Sequence, residues 1–341
     1  GQDGSHMVDF LLKETDYHIV GCFRRLSVPN DENIIHHIDN PRFEKVYFDL
    51  TDPTSVNHVV KKYQPEYFIN FAAQSFVGAS WDIPVATWNC TATGVLHILE
   101  AIRTESPRTK FYNAGSSEEF GDVEYSPQDE KHPLRPRSPY GAAKAAARHI
   151  VKVYRDSYNL FAVQGWLFNH EGIRRGEEFV TRKITKSVAL IKKALDENRT
   201  PPPMHLGNLE SKRDWGDSQD FVKAVWLMMQ QEKPIDYVVA SGETHSIREF
   251  VEGALMSADI PFDAVENTNF FTGEKPALAY TLKGKPETPL VYVNPKYFRP
   301  AEVQLLLGDP TRIEKELGWT REVSFEKLVD KMTQHDILTL S

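Results

Sequence analysis

Strand-like and helix-like segments alternate along the first half of the chain, and this order constrains the fold more than any other feature. Apolar runs typical of buried strands occupy residues 17–23, 44–48, 67–71, 110–113 and 160–168. Segments with helical periodicity lie between them, at residues 53–63, 84–104 and 138–158. Such an order predicts βαβ units with right-handed crossovers and an α/β fold built on a doubly wound parallel sheet. Ligands of such sheets bind beyond the carboxyl ends of the strands.

The second half of the chain is less regular. It predicts a strand at 237–240, a loop or hairpin at 267–295, and helices at 179–195, 217–231, 247–258, 310–317 and 325–332. We therefore expect two interleaved domains, a Rossmann-type domain over residues 1–175 and a smaller, mixed α/β substrate domain over residues 176–341. The strand and helix near 205–240 are expected to return to the first sheet.

Composition and charge exclude several classes of protein. The 40 basic and 48 acidic residues give a formal charge of −8, which argues against binding to nucleic-acid backbones. No apolar run reaches the roughly 18 residues of a membrane span, so we expect no membrane partner. Cys22 and Cys90 are too few for a disulfide framework, which favours a reducing, cytoplasmic compartment.

The chain opens on a partial glycine motif. Gly1 and Gly4 precede helix-compatible apolar residues, as in the second half of a G-x-x-G-x-x-G fingerprint, whose glycines let the backbone approach a pyrophosphate. The alternative is that residues 4–7 (GSHM) are the remnant of an expression tag. Favouring the fingerprint, we expect Gly1, Gln2, Asp3 and Gly4 to bind a cofactor. We also expect the native protein to have a first strand and a first glycine before Gly1.

Arg24 and Arg25 directly follow the strand predicted for residues 17–23, which would be the second strand of the dinucleotide-binding unit, and they indicate which cofactor binds. An acidic residue at this place would bind the ribose 2′-hydroxyl of NAD, whereas arginine suits the 2′-phosphate of NADP. No acid occurs there, so we predict NADP; the alternative is a solvated basic loop. Asp49, after the next strand, either holds the adenine amine or is a turn residue, and Ala72 with Ala73 would let a cofactor pass closely.

Tyr140 and Lys144 are the most informative pair. On a helix, residues i and i+4 share a face, and a nearby ammonium group lowers the pKa of a phenol. Such a pair forms a general base near neutral pH. Ser116 and Ser117 lie just past the preceding strand, where a hydroxyl can hydrogen-bond the substrate group that the tyrosine deprotonates. Chance occurrence of Y-x-x-x-K is common, but this context makes an unrelated pair the weaker interpretation.

These features resemble the extended short-chain dehydrogenase/reductase superfamily and, within it, the GDP-mannose 4,6-dehydratase family. The motifs that carry the resemblance run in the family's order along nearly the whole chain, at residues 1–5 (GQDGS), 72–75 (AAQS), 137–144 (RSPYGAAK), 167–171 (LFNHE), 174–176 (RRG), 179–184 (FVTRKI), 207–209 (GNL), 213–216 (RDWG) and 297–303 (YFRPAEV).

The resemblance implies a lyase that oxidises C4 of a GDP-sugar, eliminates water across C5 and C6, and returns the hydride to C6. Tyr140 would be the base for the 4-hydroxyl, Ser116 would hold that hydroxyl, and Lys144 would support the tyrosine and the cofactor ribose. Glu118 matches the acid/base that takes the C5 proton and assists departure of the C6 hydroxyl. Its neighbour Glu119 is the rival for this role, because two successive acids in an extended segment face opposite ways.

The resemblance also implies binding residues and an assembly. Further NADP contacts are expected from Leu50, Gln74, Ser75, His170 and Arg175. Contacts to the GDP-sugar are expected from Ser75, Asn169, Lys183, Arg213, Arg299 and Glu302. A homotetramer or homodimer is the expected assembly. No metal is expected, because the neighbouring histidines His36 and His37 show no metal-ligand spacing.

The sequence departs from the family where Gly172-Ile173 replaces a Ser-Pro pair. The identity of the sugar therefore stays open between GDP-mannose and another GDP-sugar such as a GDP-mannoheptose. A GDP-4-keto-6-deoxymannose reductase is the alternative enzyme, and a catalytically silent NADP-binding regulator is the alternative of a different class.

Overall fold

The computed structural model describes residues 1–265, 275–298 and 305–340. Its α-helices are α1 (Gln2–Glu14), α2 (Pro53–Tyr63), α3 (Pro84–Trp88), α4 (Gly94–Glu105), α5 (Pro139–Tyr158), α6 (Val180–Asp196), α7 (Ser218–Met229), α8 (Ile247–Ser257), α9 (Thr311–Leu317) and α10 (Phe325–Leu340). Within the described ranges, none of the helices combines the length and the apolar character that crossing a membrane requires.

The strands are mostly short. They are β1 (Ile19–Phe23), β2 (Phe43–Tyr47), β3 (Tyr67–Asn70), β4 (Lys110–Ala114), β5 (Ala162–Leu167), β6 (Asn169–Glu171), β7 (Met204–Leu206), β8 (Lys212–Arg213), β9 (Trp215–Asp217), β10 (Val238–Val239), β11 (His245–Ser246), β12 (Phe262–Ala264), β13 (Ala277–Leu282), β14 (Lys285–Val293) and β15 (Leu305–Leu306).

The N-terminal part contains the predicted parallel sheet, and the α/β fold class is confirmed. Strands β10, β5, β4 and β3 lie side by side in this order, and every pair is parallel. Helices α2 and α4 pack on one another and bury Val60, Ile98 and Ile102. All six residues of β5 are buried, as expected for a central strand with both faces covered.

Strands β1 and β2 form a separate parallel pair. In the described part of the chain no strand joins β1 to β3, and both strands are only half-buried along most of their length. Their beginnings meet through side chains, because the Tyr17 ring packs edge-on against the Tyr67 ring with centroids 5.5 Å apart. A strand before Gly1 stays a prediction.

The long helix predicted for residues 84–104 is confirmed, because α3, a π-helical turn and α4 follow one another without a break from residue 84 to residue 105. The π turn, which was not predicted, spans Asn89–Thr93 and packs against α5. Helical periodicity does not reveal such a turn, because a π turn inserts only one extra residue into a continuous pattern. Thr87 and Thr91, on α3 and on the π turn, hydrogen-bond Gln74 in the loop after β3.

The C-terminal part has its own sheet and its own core. Strands β12, β13, β14 and β7 are neighbours, with β13 and β14 forming an antiparallel hairpin. The hairpin interpretation of residues 267–295 is therefore correct for the described residues from 275 onward. Helices α6, α8 and α10 pack on one another and bury Ile184, Phe250 and Met332.

A segment between α6 and α8 of the C-terminal core returns to the first sheet. Strand β10 pairs in parallel with β5, and α7 packs against α1. Two further strands, β6 and β9, pair in parallel next to this junction. The sequence did not predict β6 or β9, because three-residue strands carry too short an alternation to be recognised.

Helix α10 is fastened by a buried ion pair, which gives a testable prediction. Asp336 is fully buried and accepts hydrogen bonds from Arg182 Nε at 3.0 Å and from Thr185 Oγ1 at 2.6 Å. Asp336→Ala leaves the largely buried Arg182 guanidinium without its carboxylate partner, so we expect a loss of about 3 kcal/mol in unfolding free energy. Urea unfolding measures it. Lys327→Ala, on the exposed face of the same helix, should change stability by less than about 0.5 kcal/mol.

Candidate active site

The turn after β4 and the start of α5 form the centre of the candidate site. Ser138 caps α5 by accepting a hydrogen bond from the Gly141 N–H at 3.0 Å. Helix α5 approaches the turn so closely that a Cβ at Gly141 would lie 2.6 Å from the Glu118 carbonyl oxygen. The close approach therefore requires glycine, and it brings Tyr140, at the second position of α5, to the turn that carries Ser116 and Glu118.

Tyr140 is buried, and burial raises the pKa of its phenol. A hydrogen bond with the Ser116 side chain lowers this pKa in part, whereas the negative charge of Glu118 raises it further. The three groups therefore lie within electrostatic reach of one another, as predicted from the sequence. Arg175 also acts on Tyr140, because its positive charge lowers the pKa of the phenol.

Lys144 is buried behind the Tyr140 ring. Its Nζ donates a 2.6 Å hydrogen bond to the Ala114 carbonyl oxygen and lies 5.8 Å from the centroid of that ring. Burial lowers the pKa of Lys144 to about 8. In the protein alone, burial is also the largest influence on the Tyr140 phenol, whose net pKa is raised. The lowering of that pKa by Lys144 stays a prediction.

The structure distinguishes the two neighbouring glutamates. The Glu119 side chain is fully buried, and its carboxylate accepts hydrogen bonds from the Ser116 N–H at 2.8 Å and from Arg148 Nε at 2.5 Å. Glu118 is half-buried, and the negative charges of both glutamates raise the pKa of Tyr140. The difference between them is therefore burial and hydrogen bonding: internal hydrogen bonds hold the Glu119 carboxylate, whereas Glu118 is the more exposed acid.

The amino-terminal end of α1 meets β6, which joins cofactor residues predicted from distant parts of the sequence. Asp3 Oδ2 lies 2.9 Å from His170 Nε2, and His170 Nδ1 donates to the Phe168 carbonyl oxygen at 2.7 Å. Burial works against both charges, but the pairing outweighs it: the pKa of Asp3 falls well below its usual range and that of His170 rises. Gln2 adds a 3.0 Å hydrogen bond to the His170 carbonyl oxygen.

The glycines at this end of α1 have open space beside them. A Cβ added at Gly4 would meet no atom within 4 Å, and the buried Oε1 of Gln2 has no hydrogen-bond partner within the protein. A helix amino terminus with free space in front of its glycines suits an anion, and the orphaned oxygen suits a hydroxyl donor. The residues therefore fit a dinucleotide.

Arg24 and Arg25 follow β1 and are exposed. Neither forms an ion pair with any residue that the structure describes. Asp49 accepts hydrogen bonds from the Thr51 N–H at 2.9 Å and from Thr51 Oγ1 at 2.7 Å, which together with the charge of Arg24 lower its pKa. The carboxylate is thus held in a turn, within electrostatic reach of Arg24. Leu50, beside it, is buried.

The loop after β3 is shaped by Gln74. Its side chain accepts a 2.8 Å hydrogen bond from the Phe76 N–H and donates to Thr87 Oγ1 at 3.1 Å. Both the oxygen and the nitrogen of the Gln74 amide are therefore hydrogen-bonded within the protein. Ala72 and Ser75 are exposed, and Ala73 is half-buried, so these small side chains leave the loop surface open.

The predicted substrate residues lie on β6, α6 and β8. Asn169 is half-buried at the start of β6, next to His170. Lys183 Nζ lies 3.8 Å from the centroid of the Tyr297 ring, and burial lowers the pKa of this lysine. Arg213, on β8, is buried, and its Nη1 donates to the Lys212 carbonyl oxygen at 2.7 Å. The other two predicted residues, Arg299 and Glu302, lie outside the described residues.

Arg175 lies between the cofactor and substrate residues. Its Nε is 3.0 Å from Glu171 Oε2, and its guanidinium carbon lies 3.5 Å from the centroid of the Phe179 ring. This stacking fixes the guanidinium in orientation, and its charge reaches Tyr140. Sequence reasoning assigned Arg175 only a cofactor role and missed its proximity to the tyrosine.

The two adjacent histidines meet a carboxylate that the sequence did not associate with them. Asp9 Oδ1 lies 2.9 Å from His36 Nε2 and 2.6 Å from His37 Nε2, so three possible metal-ligand atoms are clustered. The spacing search missed this group because Asp9 comes from α1. Arg174 Nη1 lies 2.7 Å from the other oxygen of Asp9. The cluster joins the loop after Arg25 to α1.

Sequence reasoning also missed the buried polar side chains behind the site. Arg148 follows Lys144 by four residues on α5 and is buried together with Glu119 and Gln164. The signal was present, because Tyr140, Lys144 and Arg148 repeat at the i, i+4, i+8 spacing of one helix face. A buried arginine on that face needs a buried partner, which no local pattern identifies.

The chain is similar in sequence to known GDP-mannose 4,6-dehydratases. The family model described as GDP-mannose 4,6 dehydratase matches residues 1–332. A GDP-mannose 4,6 dehydratase of Drosophila melanogaster is 43% identical over 353 aligned positions, which cover 99% of this chain and 84% of that protein.

Two solved structures illustrate the fold. The UDP-glucose 4-epimerase of Thermus thermophilus, in complex with NAD, superposes with a TM-score of 0.77 at 24% identity, covering 98% of this chain and 95% of the other. RMD from Pseudomonas aeruginosa, complexed with NADPH, gives a TM-score of 0.71 at 21% identity, covering 90% of this chain and 94% of the other.

The parallel sheet and its helices define a Rossmann-type α/β protein, a fold shared with these solved structures. The chain belongs to the GDP-mannose 4,6-dehydratase family. The resemblance found in the sequence motifs is confirmed.

The Asp3–His170 pair predicts a pH-dependent contribution to stability. Because the folded-state pKa of His170 is raised, its contribution is complete below the ordinary imidazole pKa of about 6.5 and is lost as pH rises through the raised value. The lowered pKa of Asp3 adds a contribution that is lost only in acid. We expect His170→Gln to lower the melting temperature most near pH 5 to 6 and less at about pH 9.

Thermal unfolding of both proteins across this pH range measures the effect. His149→Gln is the matched control, because His149 is exposed on α5. A melting-temperature difference for His170→Gln that does not vary with pH would contradict the charged pairing.

Proposed function

We propose that the chain catalyses the NADP-dependent conversion of GDP-mannose to GDP-4-keto-6-deoxymannose and water, a hydro-lyase reaction. The observation that carries this proposal is the half-buried Glu118 carboxylate beside Tyr140 and Ser116. A simple reductase has no need of a carboxylate at this place, whereas a dehydratase needs an acid/base for C5 and C6. The membership of the family and the name of the Drosophila relative support the same reaction.

The residues of the site have distinct roles in this reaction. Tyr140 takes the proton of the sugar 4-hydroxyl, while Ser116 holds that hydroxyl by a hydrogen bond. The resulting C4 ketone acidifies the C5 proton, which Glu118 removes. Glu118 then protonates the departing C6 hydroxyl, so the proton from C5 leaves as part of the water. When C6 is reduced, Glu118 gives C5 a new proton taken up from solvent, and Tyr140 releases to solvent the proton that it took from the 4-hydroxyl. A bound NADP would accept the C4 hydride and return it to C6, and its positive ring would favour the Tyr140 phenolate.

The choice of NADP rests on Arg24 and Arg25. Both are exposed and lack an ion-pair partner among the described residues, so their charges are available for a 2′-phosphate. RMD, which shares the fold, was solved with NADPH, whereas the epimerase was solved with NAD. Other expected contacts come from the end of α1, from Lys144 and from the loops after β2 and β3.

The GDP end of the substrate is assigned mainly to the C-terminal part, residues 176–341, and the cofactor to residues 1–175. Lys183 and the buried Arg213 supply positive charge for the diphosphate, together with Arg299. Glu302 adds an acidic contact from the C-terminal part, and residues 1–175 contribute the uncharged side chains of Ser75 and Asn169.

Gly172, one of the two departures from the family pattern, packs against the start of α7 and near α1. A Cβ at Gly172 would lie 2.7 Å from Ser218 Oγ and 3.5 Å from Gln2 Oε1. A serine at position 172 would therefore require the Ser218 side chain to move. This local packing accounts for the glycine without a change at C6 of the sugar, so mannose stays the proposed sugar.

The protein is expected to work as a homo-oligomer, with a tetramer as the assembly that the family resemblance implies. Trp81, Ile83, Val85 and Trp88 are exposed around α3, and such a cluster of large apolar side chains is typical of an interface. Cys22 and Cys90 are free thiols, which fits a reducing compartment such as the cytoplasm.

Glu118→Gln tests the proposed function. The variant keeps the shape of the side chain but cannot remove the C5 proton, so we expect the rate of water loss from GDP-mannose to fall by about 10²- to 10⁴-fold. Mass spectrometry of GDP-mannose incubated with protein and a trace of NADP measures this loss. Glu232→Gln, at an exposed position, is the control and should match the wild type.

Each other outcome identifies an alternative. Net consumption of NADPH with an unaffected Glu118→Gln variant would indicate a reductase. Conversion of a GDP-mannoheptose but not of GDP-mannose would change the substrate. If the wild type converts neither sugar, the proposed function is wrong.

Arg24→Ala/Arg25→Ala tests the cofactor. Removing both charges should raise the Kd for NADP by about 10- to 100-fold, because charge-assisted bonds to a phosphate are lost, and should leave the Kd for NAD nearly unchanged. Fluorescence titration measures both constants. Arg108→Ala removes an exposed arginine elsewhere and should change neither. Equal weakening for both cofactors would argue against a 2′-phosphate contact.

A further inference from the structure

We propose that Glu119 and Arg148 are positioning residues for the proposed reaction and that this buried pair fixes Ser116 and Lys144 relative to Tyr140. The inference rests on the proposed function, and it concerns side chains that touch neither sugar nor cofactor. It arises from the hydrogen bonds and close contacts that lie directly behind the candidate site.

Glu119 holds the turn that carries Ser116. Its Oε1 accepts the Ser116 N–H at 2.8 Å, while the Ser116 hydroxyl accepts the Glu118 N–H at 3.2 Å, so a reciprocal capping box closes the turn. A Cβ at Gly115 would lie 2.6 Å from Glu119 Oε1 and 2.8 Å from Arg148 Nη2. Backbone and carboxylate are thus packed against one another without room for another side chain.

Arg148 is held on three sides. Its Nε donates to Glu119 Oε2 at 2.5 Å, and its Nη1 donates to the Gln164 carbonyl oxygen of β5 at 2.7 Å. The guanidinium carbon lies 3.4 Å from the centroid of the Trp166 ring. Asp236 is a more distant ion-pair partner, with Oδ2 at 3.5 Å from Nη1. The arginine therefore ties α5 to the turn and to the central strand.

Gln164 connects the pair to Lys144. Its Nε2 donates to Glu119 Oε1 at 3.0 Å and to the Lys144 carbonyl oxygen at 3.1 Å. Its Oε1 accepts a 2.7 Å hydrogen bond from Asn113, which in turn accepts from Asn70 at 2.8 Å. This chain of bonds crosses β5, β4 and β3. Displacement of Glu119 would therefore disturb both the Ser116 turn and the helix segment that carries Lys144.

The pair also acts on Lys144 through its charges. Burial is the largest influence and lowers the pKa of Lys144, and the charge of Arg148 lowers it further. Glu119 opposes this effect, with smaller contributions from Cys90 on the π turn and Asp3 on α1. Glu119 and Arg148 therefore shift the pKa of Lys144 in opposite directions. A pair that served only to stabilise the fold would not change the pH dependence of catalysis in this way.

Stability alone is a weak reason for such a pair. Two apolar side chains of similar volume often stabilise a core as well as a buried ion pair does, because both charges must be desolvated. The pair hydrogen-bonds Ser116 directly and is connected to Lys144 through Gln164. A role in positioning Ser116 and Lys144 accounts for this location.

Glu119→Gln and Arg148→Met separate positioning from folding by their pH profiles. We expect kcat to fall roughly 10-fold or more in each, since small displacements of reacting groups are costly, with KM for GDP-mannose changed little. Loss of the Glu119 charge lowers the pKa of Lys144 and should move the alkaline limb of the kcat profile to lower pH. Loss of the Arg148 charge should move that limb to higher pH. Shifts in the same direction, or none, would overturn the proposal.

The double variant Glu119→Leu/Arg148→Met shows whether a fall in kcat is caused by loss of folding. It removes both charges together, so no unpaired charge stays buried, and we expect a near-native melting temperature with kcat still reduced. A folded double variant with wild-type kcat would overturn the proposal. Asp156→Asn breaks the exposed Lys152–Asp156 ion pair on the same helix and should leave kcat unchanged.

Hydrogen exchange keeps this test independent of the proposed reaction. The Ser116 N–H should exchange faster in Glu119→Leu/Arg148→Met than in the wild type, because it loses its acceptor. If the wild type does not convert GDP-mannose, the proposed function fails while this exchange difference still tests the pair. Unchanged protection of Ser116 would show that Glu119 does not hold the turn.

Discussion

The buried ion pair between Glu119 and Arg148 joins the turn after β4 to α5, and the rest of the site is arranged around this junction. The Ser116 turn follows β4 at the carboxyl edge of the sheet, and Tyr140 and Lys144 lie on α5, which packs against this turn. The Arg148 guanidinium holds the fully buried Glu119 at this junction, whereas its neighbour Glu118 is only half-buried.

Much of the fold was predictable from the sequence, since the parallel sheet rests on local patterns that are strong. The apolar run around β5 and the Ala-rich α5 were predicted within a few residues of their bounds. The π turn at Asn89–Thr93 and the short pair β6–β9 were not. Their existence depends on packing against α5 and α7, which neither propensity nor periodicity in a short window contains.

The site was predictable where motif and geometry coincide and not where a partner is distant in sequence. Tyr140, Ser116 and Glu118 come together as the spacing and the resemblance implied. Arg148 was missed because its role depends on Glu119, 29 residues away, and on the backbone of β5. The raised pKa of Tyr140 was likewise not predictable, because it reflects burial, a property of the assembled fold.

The most direct test of the central claim follows the hydrogen at C4 of the sugar. GDP-mannose carrying deuterium at C4 is incubated with the protein and a trace of NADP, and the product is analysed by NMR. The account predicts GDP-4-keto-6-deoxymannose with the deuterium at C6 and no net formation of NADPH. Deuterium that leaves the sugar, or a product that retains its 6-hydroxyl, would contradict a dehydratase with this site.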